Sequence, residues 1–70
     1  MPLTMAKPGE TVTIRKITGK DEVRQHLAEL GFVMGERGTV VSKMGGNLIC
    51  AVKDSRVALS QSMAMRVLVN

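Results

Sequence analysis

Seventy residues leave room for one domain spanning 1–70, which buries only about 60% of the surface its unfolded chain exposes. With 44% hydrophobic residues, one Phe and no Trp or Tyr, the chain is too apolar for intrinsic disorder, and its core must be aliphatic and sulfur-rich. Ten Lys and Arg against six acids give a net charge of +4, but the cations are scattered, and only Arg15 and Lys16 are adjacent; that is a solvated surface rather than a phosphate-binding stripe.

Cys50 is the sole cysteine, so no internal disulfide can form, which fits a reducing compartment. The opening MPLTMAKPGE lacks the basic start and apolar run of a signal peptide. The longest apolar stretches reach about five residues, where a bilayer span needs roughly 20. The expectation is a cytosolic protein, or a domain facing the cytosol.

In chain order, Thr11-Val12-Thr13-Ile14-Arg15 alternates polar and apolar residues and predicts a half-buried strand with Val12 and Ile14 inward. In TGKDEVRQHLAEL, Val23, Leu27 and Leu30 fall at i, i+4 and i+7, one stripe of a helix. Asp21 and Glu22 occupy its first turn, where carboxylates meet the positive end of the helix dipole. Thr18 is the expected N-cap.

Gly31 follows the last stripe residue, where a left-handed residue ends a helix at least cost to glycine. Phe32 is then placed to pack back onto Leu27. Val33-Met34-Gly35-Glu36 predicts a type II turn, with Gly at its third position. Gly38 is expected at a bulge or bend leading into the strand Thr39–Ser42.

Hairpins complete the chain. Met44-Gly45-Gly46-Asn47 is a tight turn, followed by a strand over Leu48–Val52, a second turn at Lys53-Asp54-Ser55 and a strand over Arg56–Leu59. Ser60 caps a short helical turn reaching Ala64, and Val67–Val69 forms the last strand. Met44, Met63 and Met65 are expected to fill gaps in the core, a commoner use of methionine than a metal site. About five short strands, one inserted α-helix and a C-terminal helical turn make an all-β fold, a small barrel that hides its sheet edges by closing on itself.

Four stretches carry a family likeness over nearly the whole chain: Gly9 before the first strand; Arg24-x-x-Leu27-x-x-Leu30-Gly31-Phe32; Gly35 followed by Gly38-Thr39-Val40; and Val57-Ala58-Leu59 with Ala64 five residues after Leu59. This combination resembles the FeoA family of ferrous iron transport accessory proteins. The resemblance implies a cytosolic SH3-like barrel. It implies a partner as well, the cytosolic part of the membrane transporter FeoB, which carries the GTPase. The chain departs from the family at Met34, where Pro is usual, and at Asp54-Ser55, where the turn often holds Gly.

The residues themselves give no sign of an enzyme. Gly45-Gly46 lacks the Lys and Ser/Thr continuation of a phosphate-binding loop, and no nucleophile stands with a base. His26 and Cys50 are the obvious metal-ligand types. No pair has ligand spacing such as Cys-x-x-Cys, so His26 is expected on the surface, Cys50 in the core, and neither a metal site nor a cofactor. With Leu48, Cys50 and Val52 inward, Ile49 and Ala51 point outward. They form, with Met34 on its turn tip, a candidate partner-binding patch, for a transporter or for a second copy of the chain. The alternative function is a nucleic-acid-binding small barrel. Its positive charge favours that reading, and the lack of aromatic stacking platforms opposes it. Peptide recognition of the proline-rich kind needs an aromatic-lined groove that one Phe cannot supply.

Overall fold

In a computed structural model describing residues 1–70, β1 spans Thr11–Ile17, β2 Arg37–Met44, β3 Asn47–Val52, β4 Ser55–Ser60 and β5 Val67–Val69. They form one five-stranded sheet in the order β4-β3-β2-β1-β5, antiparallel at every pairing. Helix α1, Asp21–Glu29, is inserted between β1 and β2, and α2, Gln61–Ala64, lies between β4 and β5. This is the all-β architecture with one inserted helix that the sequence predicts.

The inward-facing residues of all five strands meet in one cluster with Leu27, Phe32, Ala64, Leu3 and Ala6. Two bulges let the sheet roll around it. In β1 the register against β5 shifts between Ile14 and Lys16. The extra residue, Arg15, lets Ile14 and Ile17 both face the core three positions apart, which strict alternation forbids. In β2 the shift falls between Val40 and Ser42, so the bulge is at Val41 and not at Gly38. Gly38 is buried between Val12 of β1 and Val52 of β3 in regular pairing.

The N-terminal segment is structural. Leu3–Met5 forms a 3-10 turn that buries Leu3, Pro2 bridges to Leu68, and the Met1 ammonium donates to the Val69 carbonyl at 2.8 Å. This segment covers the outer edge of β5 and packs against α2, which also touches β3 and β4. The two end strands are joined through these pieces rather than paired with each other.

Helix α1 ends as its sequence dictates. Gly31 has φ of +107°, its amide donates to Ala28 O at 3.0 Å, and the Phe32 amide reaches Leu27 O at 2.9 Å. These two bonds satisfy carbonyls the helix would leave free. Phe32 is thereby carried into the core beside Leu27, and both are almost fully buried. The start of α1 differs from expectation. Its N-cap is Lys20, with no side-chain bond, because Gly19 at φ +110° turns the chain first. Thr18 instead bonds to the Arg66 carbonyl, through its amide at 2.8 Å and its hydroxyl at 3.3 Å.

Ser60 does cap α2, accepting from the Met63 amide at 3.4 Å. The β3–β4 turn is two residues, Lys53-Asp54, since Ser55 already pairs with Val52. Of the three methionines expected in the core, only Met63 packs against it. Met44, at the end of the β2–β3 hairpin, is 67% exposed, and Met65, ending α2, is 55% exposed. The aliphatic residues fill the small core without them.

Candidate docking groove

The end of β1, one face of α1 and the loop after it enclose a groove of about 390 Å3 lined by Lys16, Ile17, Arg24, Ala28, Phe32, Val33 and Met34. Each element contributes for a local reason. Arg24 and Ala28 are four apart and share a helix face. Ile17 is turned toward this end of the barrel by the bulge at Arg15. Phe32 anchors the loop in the core, and Val33 and Met34 follow from it to the rim.

Met34 is 71% exposed, yet its loop is firmly held. The Gly35 amide donates to Ile14 O and the Ile14 amide to Glu36 O, each at 2.9 Å, and the Glu36 amide closes the turn on Val33 O at 3.1 Å. Gly35 has φ of +89°, the conformation the third position of a type II turn demands. A fixed turn therefore presents a large apolar side chain to solvent, beside four other apolar linings.

The electrostatics of the groove are one-sided. Lys16 and Arg24 line it, and no acid does. Arg24 Nη2 lies 3.2 Å from Asp21 Oδ1, with the Asp21 side chain 94% exposed. Such a pair contributes little and leaves the guanidinium open to another carboxylate. The two remaining cavities are lined mainly by polar residues. One of about 230 Å3 lies by Thr4, Lys43, Gly46 and Gln61, and one of about 330 Å3 by Thr18, Ser62, Met65 and Arg66.

The residues singled out in the sequence are distributed as follows. Met34 sits in the groove. Ile49 and Ala51 lie on the outer face of β3, both half-buried. Ile49 is flanked by Ser42 and Ala58, and Ala51 by Thr39 and Arg56; neither shares a cavity with Met34. His26 is exposed in the last turn of α1. Cys50 is buried and unpaired, and burial pushes its thiol pKa up. Nowhere are three or more His, Cys, Asp or Glu side chains gathered to hold a metal, and no helix is long and apolar enough to cross a membrane.

Sequence reasoning missed Lys16, Ile17, Arg24, Ala28, Phe32 and Val33 as groove residues. Arg24 and Ala28 lie off the apolar stripe of α1 and so read as solvent-facing. One signal was legible, Phe32-Val33-Met34, three consecutive large apolar residues in a loop.

The family model described as FeoA domain matches residues 1–70. A curated relative from Methanocaldococcus jannaschii, provisionally named Fe(2+) transport protein A, is 32% identical over 68 residues, covering 97% of this chain and 83% of its own. Among solved structures, an iron uptake regulatory protein (FeoA) superposes with a TM-score of 0.91 at 32% identity, covering 99% of this chain and 92% of its own. Stenotrophomonas maltophilia FeoA, solved with zinc and described as an SH3 domain protein, gives 0.88 at 32% identity, covering 100% and 89%.

Proposed function

The chain belongs to the FeoA domain family, and from that premise we propose that it is a non-enzymatic accessory domain of ferrous iron uptake that binds the cytosolic part of the GTPase transporter FeoB. The observation that carries this reading is the groove beside α1. A rigid turn exposes Met34 at the lip of an apolar cleft with two cations and no acid. Apolar clefts rimmed by polar groups mark sites of protein contact. The partner's matching segment would bring an apolar side chain flanked by carboxylates.

The domain works in the cytosol and is drawn to the inner membrane face by its partner. Ile49 and Ala51 provide a second contact surface, on the outer face of β3. The domain does no chemistry of its own; it acts by binding one transporter state more tightly than another, the only way a ligand shifts a conformational equilibrium. The test is capture of the recombinant cytosolic GTPase portion of FeoB from the same source by this chain, and by an Ala28→Glu variant that places an acid in the groove. Capture by the unmodified chain and loss in the variant support the reading. Failure of the unmodified chain to bind overturns it.

A further inference from the structure

Five methionines are substantially exposed: Met1, Met5, Met34, Met44 and Met65. Only Met34 belongs to the apolar groove, where Ile17, Ala28, Phe32 and Val33 are its neighbours. Met44 borders a cavity shared with Thr4, Lys43, Asn47 and Gln61, and Met65 one shared with Thr18, Ser62 and Arg66. Oxidation of those two adds polarity where the surface is already polar. At Met34 it changes the character of the groove.

We infer that Met34 is a modification site, a thioether whose oxidation by a peroxide closes the groove to apolar, anion-bearing partners. The sulfur lone pair attacks one peroxide oxygen and the O–O bond breaks. Sulfide is oxidised to sulfoxide and hydrogen peroxide is reduced: the departing hydroxide takes the proton from the oxygen now bonded to sulfur and leaves as water. The product is polar and chiral where the thioether was apolar, and methionine sulfoxide reductases reverse it. At 71% exposure the side chain is open to a small oxidant with no movement of the fold. Its turn is held by backbone bonds to Ile14, so oxidation alters the groove without unfolding its wall.

The new oxygen opposes binding by either of two routes. Unpaired, it is a hydrogen-bond acceptor that a docking partner must bury without a donor, at the cost of that acceptor's hydration. Paired with Lys16 or Arg24, the cations lining the same groove, it occupies the donors that a partner's carboxylate would use.

The inference rests on the docking role proposed for the groove, but a small probe tests it apart from FeoB. Anilinonaphthalene sulfonate joins apolar rings to an anion, the chemistry this groove suits. Fluorescence titration is made on the reduced chain, on the peroxide-treated chain with sulfoxide at Met34 confirmed by mass mapping, and on Met34→Leu treated alike. The reduced chain should bind the dye, and the oxidised chain about tenfold more weakly, the effect of one unsatisfied buried acceptor. Methionine sulfoxide reductase should restore binding, and Met34→Leu should bind before and after peroxide alike. No dye binding by the reduced chain, no change on Met34 oxidation, or an equal loss in Met34→Leu each overturns the inference. The cytosolic portion of FeoB is titrated in parallel. If it fails to bind the reduced chain while the dye behaves as expected, the transporter reading falls and the oxidation site stands.

Discussion

A β-carbon added to Gly31 would stand 3.3 Å from Cγ1 of Val52 and 3.8 Å from its Cγ2. Val52 is almost fully buried and has little room to yield. Gly31 also has φ of +107°, a conformation that strains any residue with a side chain. Gly31→Ala therefore meets both obstacles, while Gly35→Ala, at φ +89° with nothing within 4 Å, meets only the second. Urea unfolding should show Gly31→Ala losing about 2–3 kcal/mol and Gly35→Ala about 1–2 kcal/mol. Equal losses would show that Val52 does not crowd this corner.

Phe32 is the chain's single aromatic residue and is 1% exposed. It fills the core where α1, β1 and the groove loop converge. Phe32→Ala should cost about 3–5 kcal/mol, comparable with the whole stability of so small a domain. Circular dichroism should find it largely unfolded near body temperature, and a native-like melting curve would contradict that central packing role.

The corner around Gly31 and Phe32 could be foreseen because its signals are local. An apolar stripe, a glycine after its last member and an aromatic after the glycine specify a helix end together. Gly45-Gly46 likewise fixed the β2–β3 hairpin, and both glycines have positive φ. What escaped the sequence depends on distant partners. The bulge at Arg15 arises against β5, beyond the Thr11–Thr13 stretch that pairs with β2, and the bulge at Val41 arises against β3, beyond the residues of β2 that pair with β1. Leu3 and Ala6 lie in a segment too short for any periodicity, and only the edge of β5 gives them a place. The groove is of the same kind, for Arg24 and Ala28 become its wall only once β1 and the Phe32–Gly35 loop stand opposite.

Cys50 should be inert in the folded chain. It is 1% exposed and burial raises its pKa, so little of the reactive thiolate forms. Iodoacetamide should modify it slowly in native buffer and fully in urea. The same shift links stability to pH. The folded state holds the thiol proton more tightly than the unfolded chain does. This contribution is complete below the unfolded pKa of about 8.5 and is lost as pH rises toward the folded value. Between pH 7 and 10 the urea midpoint of the unmodified chain should fall further than that of Cys50→Ala. Parallel falls would show that the thiol is not the linked group.

The two candidate contact surfaces make a quantitative claim about one another. Met34 lies in the groove and Ile49 on the outer face of β3 between Ser42 and Ala58. Both positions tolerate a charge without a core rearrangement, since Met34 is exposed and Ile49 only half-buried. If both surfaces meet FeoB, Met34→Glu and Ile49→Glu should each weaken binding by about 1–2 kcal/mol, or roughly 5- to 30-fold. Residues that share no partner contribute independently, so the double variant should show the sum within about 0.5 kcal/mol. Lys16 and Arg24 add a further distinction. The groove contact should weaken as salt screens those cations, and the Ile49 contact, lacking a charged pair, should not. Calorimetric titration of the four proteins at two salt concentrations decides the matter. An Ile49→Glu variant that binds as tightly as the unmodified chain removes the β3 face from the interface. A double variant no weaker than Met34→Glu alone leads to the same conclusion and leaves the groove as the docking surface.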